Sequence, residues 1–219
     1  MSNARSAIFQ AIERAHGTEE TSADQIAEDA RNLITDPATA RPAITADDPI
    51  DAFIERATGP KVGASVDRID DLNALPAKIA KWLDESGRPL QVALQPTADL
   101  TGLDWTGAGI TLTNDVDDKV AVGLARFCIA ETGSLVFHSA ADMPILLNFL
   151  PAVHIVAIRA STILSHLEDY ADAARAAGNP TPRNACLITG ASGTTDIEGR
   201  LVKGAHGPGE LKIVVVDDR

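Results

Sequence analysis

Short apolar runs rich in β-branched residues alternate along this sequence with segments of helical periodicity. Runs with the strand pattern are residues 61–66, 89–94, 120–125, 134–138, 153–158, 185–189 and 211–216. The clearest helical patterns are residues 50–58, residues 71–85 and residues 162–176. Strands that alternate with helices are typical of α/β proteins with parallel sheets. We therefore predict an α/β fold with a mostly parallel sheet and flanking helices.

The N-terminal part of the chain differs in composition from the rest. Residues 2–16 have apolar side chains at helical spacing, and residues 18–49 are acidic and poor in large apolar groups, with one helical pattern at residues 23–33. Three X-Pro pairs in this acidic stretch disfavour further helix. We predict an N-terminal helix and acidic arm over residues 1–48, followed by an α/β domain over residues 49–219.

The charge balance limits the classes of partner. The chain has 31 acidic and 19 basic residues, and its net charge is −12. Nucleic-acid binding requires clustered Lys and Arg side chains, so no nucleic-acid partner is expected. No stretch approaches the roughly 20 apolar residues that span a bilayer, and the N-terminus lacks the apolar segment of a signal peptide. The predicted location is the cytoplasm, without membrane insertion.

The sequence contains two cysteines, Cys128 and Cys186, both within apolar runs, and five histidines. Iron–sulfur clusters and structural zinc sites usually need about four protein ligands, and no HxH or HExxH spacing is present. We interpret the cysteines as small buried side chains in a reducing compartment. No metal site and no cofactor are expected in this chain.

The stretch from Asn184 to Asp218 contains two polar, glycine-rich loops between strand-like runs. The run at residues 185–189 is predicted to be a buried strand, and loops at the carboxyl ends of strands bind ligands in α/β sheets. Free N–H groups at a helix N-terminus would suit phosphate or carboxylate. The alternative is N-capping of a helical turn, with a glutamate completing a capping box. The candidate ligand-binding residues of the first loop are Ser192, Gly193, Thr194, Thr195 and Glu198.

Three further side chains are candidates for chemistry. Glu131 stands at a strand-to-turn junction, where its carboxylate could be a nucleophile, a base or a hydrogen-bond acceptor for a ligand. The alternative, which the local sequence favours, is a carboxylate that accepts backbone N–H groups and fixes the turn. His206 lies between glycines, where it could contact a ligand or bond to a carbonyl in the turn. His154 lies in an apolar strand, a position more typical of a core histidine than of a ligand.

Four motifs occur together in this chain: AETGSLV at residues 130–136, LPAVHI at 150–155, SGTTDIE at 192–198 and KGAHGP at 203–208. In order and spacing they resemble the lactate-utilisation protein C family, also called LutC or YkgG, whose domain is the LUD domain. The resemblance covers residues 50–218. One departure is that the family loop usually reads Gly-Pro-Ser-x-Thr-Ala-Asp-Ile-Glu, whereas this chain lacks the proline and has Gly193.

The resemblance implies a fold like that of sugar isomerases, CoA transferases and formyltetrahydrofolate cyclo-ligase. It also implies a subunit of an L-lactate utilisation system, in which L-lactate is oxidised to pyruvate with two iron–sulfur partners, LutA-like and LutB-like proteins. Iron–sulfur clusters are then expected only in those partners.

For this chain the hypothesis is a non-redox component that binds a small anionic or phosphorylated ligand. Glu131, Asp196 and His206 are its candidate catalytic residues. Besides the first-loop residues, the candidate ligand-binding residues are Thr132, Gly133, His154, Gly204 and Gly207. Two alternatives stay open. One is a self-sufficient acyl- or phosphoryl-transfer enzyme that uses Glu131, and the other is a non-catalytic assembly module.

Overall fold

The computed structural model describes residues 2–16, 21–35, 41–44, 46–117, 119–176, 182–195 and 198–218. The chain divides into two compact units, residues 1–42 and residues 43–219. The first unit contains the helices α1 (Ser2–His16) and α2 (Ala23–Thr35), whose described side chains are exposed. Among the described residues, no helix has the length and apolar character needed to cross a bilayer.

A six-stranded parallel sheet forms the centre of the second unit. Its strands are β1 (Ser65–Ile69), β2 (Gln91–Leu94), β3 (Thr111–Thr113), β4 (Val120–Leu124), β7 (Val153–Arg159) and β12 (Glu210–Val216). Their order across the sheet is β1-β12-β7-β4-β2-β3, and every neighbouring pair is parallel. The prediction of an α/β fold with a mostly parallel sheet is confirmed.

The neighbouring strands β12 and β7 are buried, and apart from Lys212 and His154 their buried residues are apolar. In β12, every residue from Leu211 to Val216 is buried, and in β7 the same holds from Val153 to Ile158. Continuous apolar runs of this kind are typical of parallel strands covered on both faces. The two strands pair along their full length, from Glu210 opposite Val153 to Val216 opposite Arg159.

Helices cover both faces of this sheet. The helix α4 (Leu75–Glu85) buries Leu75, Ile79 and Leu83, which recur at helical spacing as predicted, against one face. The helix α3 (Pro49–Thr58) belongs to the core on the other face and buries Phe53 among other side chains. It begins where the Asp48 carboxylate accepts the N–H of Ile50 at 2.9 Å, an N-cap bond. Two further helices of this unit are α5 (Ala98–Thr101) and α6 (Leu167–Ala176).

A second sheet of four strands packs in the core on the α3 side. Its strands are β5 (Phe127–Ile129), β6 (Ser134–His138), β8 (Ile163–Leu164) and β9 (Ala185–Ile188), in the order β8-β5-β6-β9. A separate antiparallel hairpin consists of β10 (Gly193–Thr195) and β11 (Leu201–Lys203).

Two sequence predictions about this region are wrong. Residues 185–189 were expected to be a buried strand, but β9 is the edge of the small sheet and its residues alternate between exposed and half-buried. A helix was expected from residue 162, but Ile163 and Leu164 instead form β8 and pair with β5. The Ser161 hydroxyl donates to Asp218 at 2.7 Å, and α6 begins only at Leu167. β-branched Ile163 fits a strand, so pairing outweighs the helical pattern.

Candidate functional site

Glu131 lies in the turn that joins β5 to β6, here called the Glu131 turn (residues 130–134). Its carboxylate oxygen Oε1 accepts the backbone N–H of Leu167 at 2.9 Å. Leu167 is the first residue of α6, so this bond satisfies an N–H group that has no partner within the helix. The other oxygen, Oε2, is buried and has no hydrogen-bond partner in the described part of the chain. One oxygen thus has the structural role that the local sequence favoured, and the other has no protein partner among the described residues.

Hydroxyl groups connect the Glu131 turn to the residue that follows β9. Thr132 Oγ1 is 2.7 Å from Ser134 Oγ, which in turn is 2.6 Å from Thr189 Oγ1. Gly133 packs directly on the C-terminal end of α3, where an added Cβ would lie 3.1 Å from a backbone nitrogen of that helix. The turn is therefore fixed between α3 and the strand β9.

A cavity of about 300 Å³ lies between the Glu131 turn and the loop after α3, and we call it the α3 cavity. Glu131 lines it together with two basic residues, Arg56 and Lys61, and one further acid, Glu55. Arg56 and Lys61 are exposed, and neither forms a salt bridge with any residue that the structure describes. Two cations beside a half-buried carboxylate can bind an anion that also donates a hydroxyl group.

The loop at residues 203–209 lies elsewhere, at the amino ends of β7 and β12. Ser192 holds it, because Ser192 N donates to the Pro208 carbonyl at 2.8 Å and Gly204 N donates to the Ser192 carbonyl at 2.9 Å. Exposed His206 lines a cleft of about 590 Å³ that also contains Lys203, Gly204 and Gly207. We call this the His206 cleft.

The structure places Glu131 and His206 in different cavities. The lining of the α3 cavity and that of the His206 cleft have no residue in common among the described residues. The third candidate catalytic residue, Asp196, lies outside the described residues. Glu198 is in a turn before β11.

The described part of the first glycine-rich loop contains a short strand. Gly193, Thr194 and Thr195 form β10, in which Thr194 pairs with Val202 and Thr195 with Leu201. The helical turn predicted at residues 196–198, with its anion-binding N–H groups or its capping box, lies partly outside the described residues and stays a prediction. The backbone groups of the two threonines bond across the hairpin, and threonine is a residue that favours strands.

His154 lies in the core of the second unit and lines none of these cavities. Its ring is stacked on Phe137 with centroids 5.7 Å apart, and it is 1% exposed. Neither ring nitrogen has a hydrogen-bond partner in the described part of the chain. Burial lowers the pKa of His154 to about 4, so the ring is neutral at pH 7. A small residue makes room for it, since a Cβ on Gly123 would lie 3.0 Å from His154 Nε2.

Comparisons with known proteins agree with this architecture. The LUD domain profile matches residues 116–216. The lactate utilization protein C of Deinococcus radiodurans is 33% identical over 147 residues, which are 65% of this chain and 68% of that protein. This chain belongs to the LUD-domain family. The lactate utilization protein C of Bacillus subtilis is 28% identical over 155 residues, or 61% of this chain and 65% of the relative.

A solved LUD-family structure shows the same fold. The crystal structure of a DUF162 family protein from Deinococcus radiodurans has a TM-score of 0.50 and 21% sequence identity, and the match covers 77% of this chain and 96% of the other. Against three of the curated relatives, however, the chain spans only 40%, 65% and 45% of the relative's own length.

Some of the candidate residues lie inside the segment that matches the LUD domain, and others lie before it. Glu131, His154, Ser192 and His206 all fall within the matched residues 116–216. Arg56 and Lys61 lie outside that match and come from α3 and the loop after it. The α3 cavity is thus lined both by residues of the segment that matches the LUD domain and by residues that precede it in the chain.

Two substitutions of Glu131 separate its structural from its ligand-binding role. Glu131→Ala removes the acceptor of the Leu167 N–H and is expected to lower the free energy of unfolding by about 1 kcal/mol, as for other lost helix caps. Glu131→Gln keeps an oxygen acceptor for Leu167 and should retain most of that stability. Urea unfolding of both variants measures the difference, and equal destabilisation by the two substitutions would contradict the capping role.

Proposed function

We propose that this chain is the component of an L-lactate utilisation system that carries no redox centre, and that it binds a small hydroxylated anion in the α3 cavity. Two relatives are named lactate utilization protein C, which supports the first half of the proposal. The partners in this proposal are LutA-like and LutB-like iron–sulfur proteins. They would receive the two electrons that the oxidation of L-lactate to pyruvate releases.

The observation that carries the second half is the set of charges around the α3 cavity. A 2-hydroxy acid such as L-lactate has a carboxylate next to a hydroxyl group. The carboxylate complements Arg56 and Lys61, which have no acidic partner among the described residues, and the hydroxyl can donate to Glu131 Oε2. The cavity of about 300 Å³ has room for such a ligand together with water.

The alternative of acyl or phosphoryl transfer by Glu131 has less support. A carboxylate nucleophile needs an oxygen that can approach the reacting atom. Glu131 Oε1 already bonds to the N-terminus of α6, and this contact fixes the carboxylate in place. It favours a carboxylate that positions a ligand over one that forms a covalent bond with it.

The proposal predicts that removing the two cations weakens binding of L-lactate. Arg56→Gln and Lys61→Gln should each raise the dissociation constant about 10-fold, the loss typical of one charge-assisted hydrogen bond. Isothermal titration of the purified full chain with L-lactate measures this. A matched control is Lys81→Gln, because Lys81 is exposed on α4 and pairs with Glu85 at 3.7 Å away from the cavity lining.

Growth of the source strain tests the assignment to lactate utilisation. Deletion of the gene should slow growth on L-lactate, and the Lys81→Gln gene should restore it better than the Arg56→Gln gene. Unimpaired growth of the deletion strain on L-lactate would reject the proposed system. Normal complementation by the doubly substituted gene, Arg56→Gln with Lys61→Gln, would reject the α3 cavity as its ligand site.

A further inference from the structure

The parallel sheet contains a point at which the chain connections diverge. After β2, the next strand of this sheet along the chain is β3, which lies at one edge of the sheet. After β4, the next strand of this sheet is β7, which lies on the side of β4 away from β2. β2 and β4 are hydrogen-bonded neighbours. The carboxyl ends of two such strands border a crevice, and open α/β sheets bind their ligands at this kind of crevice.

A cleft of about 470 Å³ lies at this point, and we call it the carboxyl-end cleft. The strands bring its lining together: Thr97 follows β2, Arg126 follows β4, and Arg159 ends β7. None of its lining residues belongs to the α3 cavity or to the His206 cleft. The carboxyl-end cleft is therefore a separate feature of the second unit.

One buried polar atom in the lining of this cleft has no hydrogen-bond partner among the described residues. Thr97 is 8% exposed, and its hydroxyl has no hydrogen-bond partner among the described residues, although it occupies the N-cap position of α5. Two residues earlier, buried Gln95 does not line the cleft; its Oε1 accepts the Leu124 N–H at 2.9 Å, and its Nε2 has no partner among the described residues. Buried polar groups in native proteins are almost always hydrogen-bonded, so the Thr97 hydroxyl is available to water or to a ligand group in the cleft.

The charges that line the cleft leave one cation without a partner. Arg159 bonds to Asp99 at 3.1 Å and lies 3.9 Å from Asp218. Arg126 is exposed and forms no salt bridge with a described residue, although its backbone N–H is held by the Val136 carbonyl at 2.9 Å. An anion that enters the cleft can therefore bind Arg126 without displacing an existing ion pair.

We propose that the carboxyl-end cleft is a second binding site, which takes a small anion that carries hydroxyl groups. Arg126 binds the phosphate or carboxylate group of this ligand. The Thr97 hydroxyl bonds to a ligand hydroxyl, and the exposed acid Asp142 on the cleft accepts another. This inference does not depend on lactate binding in the α3 cavity, because the two sites share no residue.

His138 provides a reporter inside the cleft. Its Nε2 lies 2.8 Å from the Tyr170 hydroxyl. Burial, and after it the charge of Arg126, hold the pKa of His138 below its usual value. The other charged groups on the cleft are Asp99, Asp142 and Arg159. An anion on Arg126 offsets the charge of the guanidinium, so it should raise the pKa of His138.

The test follows the His138 ring by NMR in the full chain, with its signal assigned through a His138→Gln variant. Inorganic phosphate and L-lactate are added in separate titrations, which distinguish a phosphate from a carboxylate ligand. We expect a saturable rise in the His138 pKa with at least one probe. Arg126→Gln should weaken that response about 10-fold or more, as expected for a lost charge-assisted hydrogen bond, and Arg126→Lys should weaken it less.

Arg56→Gln is the matched control, since it removes a cation from the α3 cavity only. It should leave the His138 response unchanged, whatever it does to lactate binding or growth. A response that is absent with both probes, or unchanged in Arg126→Gln, would overturn the second site. Equal urea midpoints for Arg126→Gln and the unsubstituted protein show that a lost response reflects binding and not unfolding.

Discussion

Replacement of Gly190 by alanine is expected to lower the free energy of unfolding by about 4 kcal/mol. Gly190 has φ +96°, a conformation that costs a non-glycine residue about 1–3 kcal/mol. An added Cβ would also lie 2.5 Å from the Val62 carbonyl oxygen, which belongs to backbone and cannot rotate away. Overpacking of this kind costs about 1–3 kcal/mol more. Urea unfolding of the purified variant measures the total.

Gly63→Ala is the matched control for this prediction. Gly63 is adjacent to Val62 and also has a positive φ, +66°, but an added Cβ there meets nothing within 4 Å. It should therefore show the backbone cost alone, about 1–2 kcal/mol. If both variants were destabilised equally, the close approach of Gly190 to Val62 would not contribute. Because Val62 follows Lys61, Gly190→Ala should also disturb the α3 cavity.

The second large effect is a loss of stability in mild acid that originates from His154. Its pKa is about 4 in the folded chain, against 6.5 for an ordinary histidine. Between these two values the unfolded chain binds a proton that the folded chain does not, so stability falls as the pH decreases from 6.5 to 4. The loss reaches about 3 kcal/mol and then levels off, since below pH 4 both states are protonated.

His154→Leu tests this assignment because leucine has no titratable group. Between pH 6.5 and pH 4, the unfolding free energy of the variant should decrease by about 3 kcal/mol less than that of the unsubstituted protein. At pH 7 the variant should be nearly as stable, because two buried ring nitrogens without partners are replaced by apolar atoms. An NMR titration that gave the His154 ring a pKa near 6.5 would contradict the low value.

Most strands of the larger sheet could be located from sequence because they carry strong local patterns, although the run predicted at residues 61–66 overlaps β1 (Ser65–Ile69) by only two residues. β12 and β7 are continuous apolar runs, and α4 shows its buried stripe at helical spacing. The small sheet could not be predicted, because its strands are short and their pairing depends on distant segments. Ile163 and Leu164 fit a helix or a strand equally well by local pattern, and only pairing with Cys128 and Ile129 decides between them.

The candidate site was predicted only in part for the same reason. The Glu131 turn has a local signal, since an acid precedes a glycine at the end of a strand. Arg56 and Lys61 have none, because basic residues at the end of a helix are common on any surface. Arg126 and Thr97 can be recognised as candidate binding residues only when β2 and β4 are known to be neighbours in the sheet. That order depends on which strands pair, and no single stretch of sequence contains it.

The position of β12 in the sheet has a consequence for synthesis of the protein. β12 lies between β1 and β7, and Ser65 at the start of β1 pairs with Lys212. A ribosome adds about 5–20 residues per second, so β1 waits on the order of ten seconds for its neighbour to be translated. During that interval the nascent chain exposes open strand edges at β1 and β7. We therefore expect chaperones to bind this chain before residue 216 leaves the ribosome.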